Sequence, residues 1–298
     1  YWDGSQWVVN NSNIHNNGAG VGIGTAAPNA SAKVEIASTT QGFLPPRMTT
    51  AQRDAILSPA AGLTIYNTTV NCLQWWNGSL WYDGCGNNAP AQPQFPVGTI
   101  NCAGATAVIN VTNPTTGKIW MDRNLGASQV ATSSSDAASY GDLYQWGRRA
   151  DGHQCRTSAT TAALSSIDQP AHGNFILAPS TPYDWRSPQN TNLWQGVNGI
   201  NNPCPSGYRI PTEPELEAER LSWSVNTSVG AFASVLKLPL AGYRDVSNGS
   251  LGNVGTGGRY WSSTVSGTYS RHRYFDSSNA TMYTSNRATG FAVRCLKD

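Results

Sequence analysis

The sequence predicts an α+β chain in two unequal units, and three observations support this. Only TTAQRDAIL (49–57) and TEPELEAERL (212–221) carry a helix start signal, with Thr49/Gln52 and Thr212/Glu215 in capping-box spacing. Short strand-like runs recur, at 62–69, 107–112, 118–122, 237–243, 259–263, within 267–289, and at 290–296. The polar run NNAPAQPQFPVG (87–98) holds Pro90, Pro93 and Pro96, which keep it extended and semi-rigid. It separates a small β-rich unit, residues 1–86, from a larger one, residues 99–298.

The first unit opens on YWDGSQWV (1–8), nearly repeated as WWNGSLWY (75–82). An Asp-Gly or Asn-Gly pair between aromatics predicts a hairpin with a type I′ turn. The near-copy also suggests that residue 1 continues an earlier module. Between the two, GAGVGIGTAAPNASAKVEIAS (18–38) alternates Gly with small residues and predicts extended chain with close backbone approach. Segments this thin have little to bury against within one chain, so copies of the chain must supply the missing surface. A homotrimer is the expected form.

In the second unit, Tyr140, Leu143, Tyr144 and Trp146 of DAASYGDLYQWGRR (136–149) fit one helical face interrupted by Gly141. Residues 150–203 lack periodicity and are expected to be loop, held by Cys155, Trp185 and Trp194. Trp120, Trp146, Trp185, Trp194, Trp223 and Trp261 are expected in the core or as loop staples.

Charged residues are 12% of the chain, about half the usual share, against 11 Trp and 12 Tyr. That balance suits a loop-rich extracellular or virion protein. A net charge of +2 with no basic run gives no footprint for nucleic acid, and no apolar run is long enough to span a membrane. Six cysteines without paired C-x-x-C units point to disulfides. Cys72–Cys85, Cys102–Cys155 and Cys204–Cys295 is the pairing expected from local position, one of fifteen possible. No two His stand at metal-ligand spacing, so no zinc is expected. Asp122, Asp142, Asp151, Asp184 and Asp245 leave a structural calcium open, though no EF-type loop holds them, and no cofactor is expected. No G-x-S-x-G elbow or paired acids suggest an enzyme.

The motifs GKIWMDRNLGA (117–127), YGDLYQWGRRADGHQCRTS (140–158), NPCPSGYRIPTEPE (202–215), LPLAGYRD (238–245), GRYWSST (258–264) and GFAVRCLKD (290–298) resemble the Fibrobacter succinogenes major paralogous domain. That family is similar to the C-type-lectin and formylglycine-generating-enzyme folds, so the resemblance implies a C-type-lectin-like domain. GVGIGT (20–25), QGFLPPRMTTAQRDAI (41–56), GLTIYNT (62–68) and the WWNGSLW hairpin resemble modules of tail-fibre and surface proteins of Bacteroidetes and their phages. Together the two parts resemble the variable proteins of diversity-generating retroelements, in which adenine-directed mutagenesis alters codons near the C-terminus and the fold displays the altered side chains. Such codons reach Tyr, His, Asp, Ser, Thr, Arg and Asn, and residues 262–290 contain no Lys, Glu or Gln.

The resemblance implies Tyr269, His272, Tyr274, Asp276, Thr281, Tyr283, Ser285 and Thr289 as diversified ligand-binding positions, with Arg271, Arg273 and Thr284 beside them. Trp261, Ser262, Ser263, Arg287, Gly290, Phe291, Val293, Arg294 and Cys295 are the implied fixed frame. Tyr, Ser, Thr and Arg are what paratopes use, stiff area beside adaptable hydrogen bonding. The expected function is a receptor- or ligand-binding tail-fibre tip or adhesin, on a virion or cell surface, whose partner is a cell-surface protein or glycan. A non-diversified secreted or carbohydrate-binding surface protein is the alternative. A formylglycine-generating-type enzyme is remote, because Cys295 alone lies near the end of the domain.

Overall fold

The computed structural model describes residues 14–16, 18–84 and 94–298, and the chain divides into units of residues 1–90 and 91–298. That division falls inside the Pro-bearing run. The first copy of the aromatic repeat (1–8) and Cys85 lie outside the described residues.

The N-terminal unit holds two sheets. In the first, β1 (Ile14–Asn16) pairs antiparallel with β2 (Val21–Ile23), which pairs in parallel with β3 (Val34–Ile36). A Cβ on Gly22 would come within 2.2 Å of the Thr25 carbonyl oxygen, so this packing admits only glycine. The second sheet runs β4 (Arg47–Met48), β5 (Thr64–Asn67), β6 (Cys72–Trp76) and β7 (Trp81–Asp83), with helix α1 (Thr50–Asp54) between β4 and β5. The capping box at Thr49 and Gln52 forms as its spacing predicts. The β6–β7 turn does not take the expected two-residue type I′ form. It spans Asn77–Leu80, with Gly78 at φ 104° and Asn77 Oδ1 accepting from the backbone N–H groups of Ser79 and Leu80. The Asn side chain builds this turn.

The burial in this unit is inverted. One face of β5–β6 covers Ile65 and Cys72, but also Asn67 and Gln74, under Arg53 of α1. Arg53 Nη1 donates to Gln74 Oε1 at 2.8 Å, and Asn67 Nδ2 donates to the same oxygen at 3.0 Å. The other face carries Leu73, Trp75 and Tyr82 in the open, Trp75 stacked on Tyr82 at 6.2 Å. Across the first sheet, Ile14, Ile23 and Ile36 stand side by side and exposed.

The C-terminal unit begins with β8 (Asn110–Thr112) and β9 (Ile119–Met121), then β10 (Tyr144–Gln145), β11 (Thr160–Thr161), β12 (Phe175–Ile176) and β13 (Tyr208–Arg209). Helices α2 (Glu213–Leu221) and α3 (Ser228–Ala233) follow, then β14 (Tyr243–Arg244), β15 (Leu251–Gly252), β16 (Gly258–Ser266), β17 (Tyr269–Phe275), β18 (Ala280–Ser285), β19 (Gly290–Phe291) and β20 (Leu296–Lys297). The sheets have orders β8-β9-β20-β13, β10-β19-β14-β15, β11-β12 and β16-β17-β18. This is a β-rich mixed fold with few helices. Helix α2 starts at the Thr212/Glu215 capping box, whereas α3 lies in a stretch with no helix signal in the sequence.

Three expectations fail here. Residues 237–242 form no strand, and only Tyr243 at the end of that run enters β14. Residues 136–149 form no α-helix: a 3-10 turn covers Ala137–Ser139, and the chain then extends through β10. Gly141 at φ 68° turns it so tightly that a Cβ would lie 2.2 Å from the Leu125 carbonyl oxygen. Residues 290–296 are not one unbroken strand. Phe291, Val293 and Cys295 enter one core while Ala292 and Leu296 enter another, and the backbone between β19 and β20 bonds in turn to Met121, Leu125, Arg259 and Trp261. Serving several partners prevents a ladder with any one of them.

The long loops are held as expected. Trp185 Nε1 donates to the Trp146 carbonyl at 2.7 Å and Trp194 Nε1 to that of Asn201 at 2.9 Å, both rings fully buried. Cys102–Cys155 and Cys204–Cys295 are bonded. By chain entropy alone, closing the 91-residue separation of the latter contributes about 4–5 kcal/mol.

Candidate functional site

The C-terminal candidates fall on the β16-β17-β18 sheet, where register assigns each side chain to a face. Arg273 and Phe275 of β17 face α2 and the core beneath it. Phe275 stacks on Tyr260 at 5.7 Å and meets the edge of Trp223 at 5.6 Å. Arg273 bonds to the Leu216 carbonyl at 3.2 Å and to Glu217, and Arg271 pairs with Glu213. A Cβ on Gly258 would sit 2.2 Å from the Phe275 ring, so β16 must begin on glycine.

The opposite face is built in rows. Trp261, His272 and Tyr283 align across the three strands, and so do Arg259, Tyr274 and Thr281. His272 lies 4.5 Å from Phe291 and 5.8 Å from Trp261, in ring-centroid distances. Arg259 is held between Tyr243 of β14 at 4.6 Å and Tyr274 at 4.8 Å, and Tyr274 lies 5.8 Å from Tyr283. Tyr243, Arg259, Tyr274 and Tyr283 thus form a continuous stripe over two sheets, held by cation–π and ring–ring contacts.

Tyr269, Tyr283 and Thr284 are exposed, and Arg271, Tyr274, Asp276, Thr281 and Ser285 half-buried. Tyr274, Thr281, Tyr283 and Ser285 share the stripe's face, whereas Tyr269, Arg271 and Thr284 alternate onto the other. Among the described residues β18 pairs with β17 alone, so its outer edge is where the two sets come nearest.

Three expected contact residues lie buried in this structure. His272 is 3% and Arg273 1% exposed, the first enclosed by aromatic rings and the second committed to α2. Thr289 is buried in the turn closed by its N–H on the Asn286 carbonyl. Asp276 builds the β17–β18 turn: its carboxylate accepts from Tyr274 Oη at 2.6 Å and from Ser278 and Asn279. These bonds, Tyr274 first, hold its pKa well below the usual carboxylate range.

All nine frame residues are buried. Arg287 lies over Trp146 at 4.7 Å and donates to the Gly267 carbonyl at 3.1 Å, fixing the β16–β17 hairpin. Arg294 donates to Asn124 Oδ1, Met121 O and Leu236 O, and burial lowers its pKa to about 10. Sequence reasoning missed Tyr243 and Arg259. Arg259 was legible by alternation with Trp261, two residues along one strand, but Tyr243 reaches the stripe only through sheet packing.

A buried Asp–His pair lies elsewhere. Gln145 N–H donates to His153 Nε2 at 3.0 Å, which leaves the proton on Nδ1 to donate to Asp151 Oδ1 at 2.7 Å. Arg148 Nη2 completes the cluster on Asp151 at 2.8 Å. Both ring nitrogens are occupied and the ring is fully buried, so the pair braces β10. Among the described residues no three His, Cys, Asp or Glu groups are placed to hold a metal ion, and no helix is long and apolar enough to cross a membrane.

Residues 22–93 match the family model of the phage tail like trimerisation region. The match begins inside β2 and covers β3, α1 and the aromatic hairpin. It supports a tail-fibre-like stalk, a homotrimer, and a virion or extracellular location. No curated protein and no solved structure matches the chain at a significant level.

Proposed function

We propose that the chain is a receptor-binding part of a tail fibre or related adhesin. The trimeric stalk carries C-terminal units of the C-type-lectin-like kind implied by the family resemblance, and each presents the stripe and its neighbours to a cell-surface protein or glycan. The observation that carries this reading is the contrast across one sheet. Tyr274, Thr281, Tyr283 and Ser285 reach solvent from strands in which Ser270, His272, Arg273, Phe275 and Ala280 are buried. Such a sheet can exchange outward side chains without losing its fold, as a diversified face requires.

The mechanism is binding without chemistry. Tyrosines contribute rigid contact area, and Arg259 is already immobilised between two rings, so little entropy is lost on association. Three copies on one stalk let weak contacts act together.

The double variant Tyr274→Ala, Tyr283→Ala tests this. Two interface tyrosines at about 2 kcal/mol each predict a loss of adsorption to bacterial cells on the order of 1,000-fold, and Tyr283→Ala alone, which leaves Tyr274 on Arg259 and Asp276, predicts a loss of about 30-fold with little change in Tm. Undiminished adsorption of the double variant would contradict the assignment.

A further inference from the structure

The sheet that carries the stripe has two edges, and the fold treats them differently. Along β16 the edge is covered by the closing segment of the chain. The Trp261 N–H donates to the Ala292 carbonyl at 3.1 Å, and the Ala292 N–H donates to that of Arg259 at 3.1 Å. Along β18 no strand is paired among the described residues.

Register shows which backbone groups this leaves open. The Asp276 N–H donates to the Asn279 carbonyl at 3.0 Å, so bonded and non-bonded pairs alternate from that pair along β17 and β18. Thr281, Tyr283 and Ser285 therefore bond to β17, whereas Met282 and Thr284 turn their N–H and C=O groups away from it. The Arg271 carbonyl agrees with this phase, because it accepts from Ser262 Oγ on β16 at 2.8 Å and so points away from Thr284, its partner on β18. Among the described residues no group of the chain bonds to the N–H or C=O of Met282 or Thr284 on that outer side.

Open edges invite pairing, and folded chains blunt them by shortness, charge, proline or a bulge. The strands at the other edges of this unit's sheets, β8 and β13, β10 and β15, β11 and β12, are two or three residues long. Strand β18 has six residues, ATMYTS, without a charge or a proline, and it pairs with β17 without a register shift. Its ends are fixed by the Asp276 turn and by the buried Arg287, so the edge is held extended before any partner arrives. Tyr283 and Thr284 are exposed on it, one on each face.

We propose that β18 takes an extended segment of a cell-surface protein as a fourth strand of this sheet. The inference rests on the receptor-binding reading and narrows its partner to a polypeptide. Donors and acceptors repeated along a strand are met in register by another backbone, whereas the hydroxyls of a glycan have no such repeat. Where the added strand runs antiparallel, the residue opposite Tyr283 stands in a non-hydrogen-bonded pair, in which side chains are closest, and an aromatic or β-branched residue fits there. Such docking suits a changeable face. Main-chain bonds hold the partner whichever side chains β18 carries, and those side chains select it.

Amide hydrogen exchange on the full chain reads the edge directly. The Met282 and Thr284 amides are expected to exchange at least about 100-fold faster than those of Thr281 and Tyr283, and to slow at least about tenfold with saturating membrane vesicles of the bacterium to which the protein adsorbs. Slow exchange without vesicles, which means that another copy of the chain already covers the edge, would overturn the proposal, as would no slowing with them. Thr284→Pro removes one outward donor and leaves the β17 ladder whole, so adsorption to cells is expected to fall at least about 30-fold with little change in Tm. Thr284→Val keeps the N–H and is expected to adsorb at least about tenfold better than Thr284→Pro; equal losses would place the contact in the hydroxyl and contradict the proposal. Protease treatment of the cells is expected to abolish adsorption and periodate oxidation of their glycans to spare it, and the reverse would identify a glycan receptor and overturn strand addition. Loss of adsorption in Tyr283→Ala but not in Thr284→Pro would leave the receptor-binding face standing and remove the edge from it.

Discussion

The double variant Leu73→Glu, Trp75→Glu is expected to run as a monomer in light scattering where the wild-type chain runs as a trimer. The reason is the inverted burial of the N-terminal unit. Arg53, Asn67 and Gln74 fill its interior while Leu73, Trp75 and Tyr82 stay open on the other face of the same strands. Residues 41% and 38% exposed, as Leu73 and Trp75 are, contribute on the order of 10 kcal/mol per trimer if copies of the chain cover what remains. Carboxylates there would have to be buried unpaired, which reverses the sign of the contribution. A wild-type monomer, or a variant that stays trimeric, would refute the assignment of this face to the trimer.

Acid is expected to destabilise the C-terminal unit well above the range in which carboxylates protonate. Burial, reinforced by Arg259, Arg271 and Arg273, lowers the His272 pKa to about 3, and burial with Arg148 nearby lowers that of His153 to about 4. Both titrate near 6.5 when unfolded. A depressed folded pKa gives stability that is complete above 6.5 and is lost as pH falls toward the folded value. Asp142 acts in the opposite direction. Burial raises its pKa to about 7, so its contribution is complete below the unfolded value near 4 and is lost as pH rises through 7.

The two histidines against Asp142 leave a net loss on the order of 3 kcal/mol between pH 7 and pH 4, and carboxylates that their partners hold below the usual range, Asp151 beside His153 and Glu215 and Glu217 on α2, add to it as pH nears 4. For a unit of this size that lowers Tm by roughly 6–12 °C. His272→Phe, which keeps a ring between Trp261 and Phe291, should roughly halve the histidine share of the loss. Asp142→Asn should deepen the loss, because the opposing group is gone. Equal Tm at pH 7 and pH 4 in the wild-type chain, or no difference in either variant, would contradict the buried-histidine account.

Much of the fold could be read from the sequence where the signal was local. The capping boxes at Thr49 and Thr212 involve residues three apart, and both helices start there. Trp185 and Trp194 were recognisable as loop staples because a large ring in an unpatterned polar stretch needs a partner for its N–H. Features set by distant partners were not legible. Strand alternation puts His272 on the same face as Tyr274, yet Phe291 and Trp261 bury one and leave the other half-open. In the N-terminal unit the need for other copies of the chain was legible from its thin Gly-rich segments, whereas the open face of Leu73, Trp75 and Tyr82 over a buried Arg53, Asn67 and Gln74 was not. The helix expected at 136–149 failed because periodicity cannot distinguish a helical stripe from a buried, twice-turned segment in which every side is covered.

The central claim, a changeable face on an unchanging frame, is tested most directly by sequencing this locus in sibling isolates. Variation is expected at adenine positions in the codons of Tyr269, Arg271, Tyr274, Thr281, Tyr283, Thr284 and Ser285, with a template repeat and a reverse-transcriptase gene nearby. The codons of the buried His272, Arg273 and Thr289, and of the nine frame residues, should be spared. Silent changes, or changes spread evenly over face and frame, would contradict it.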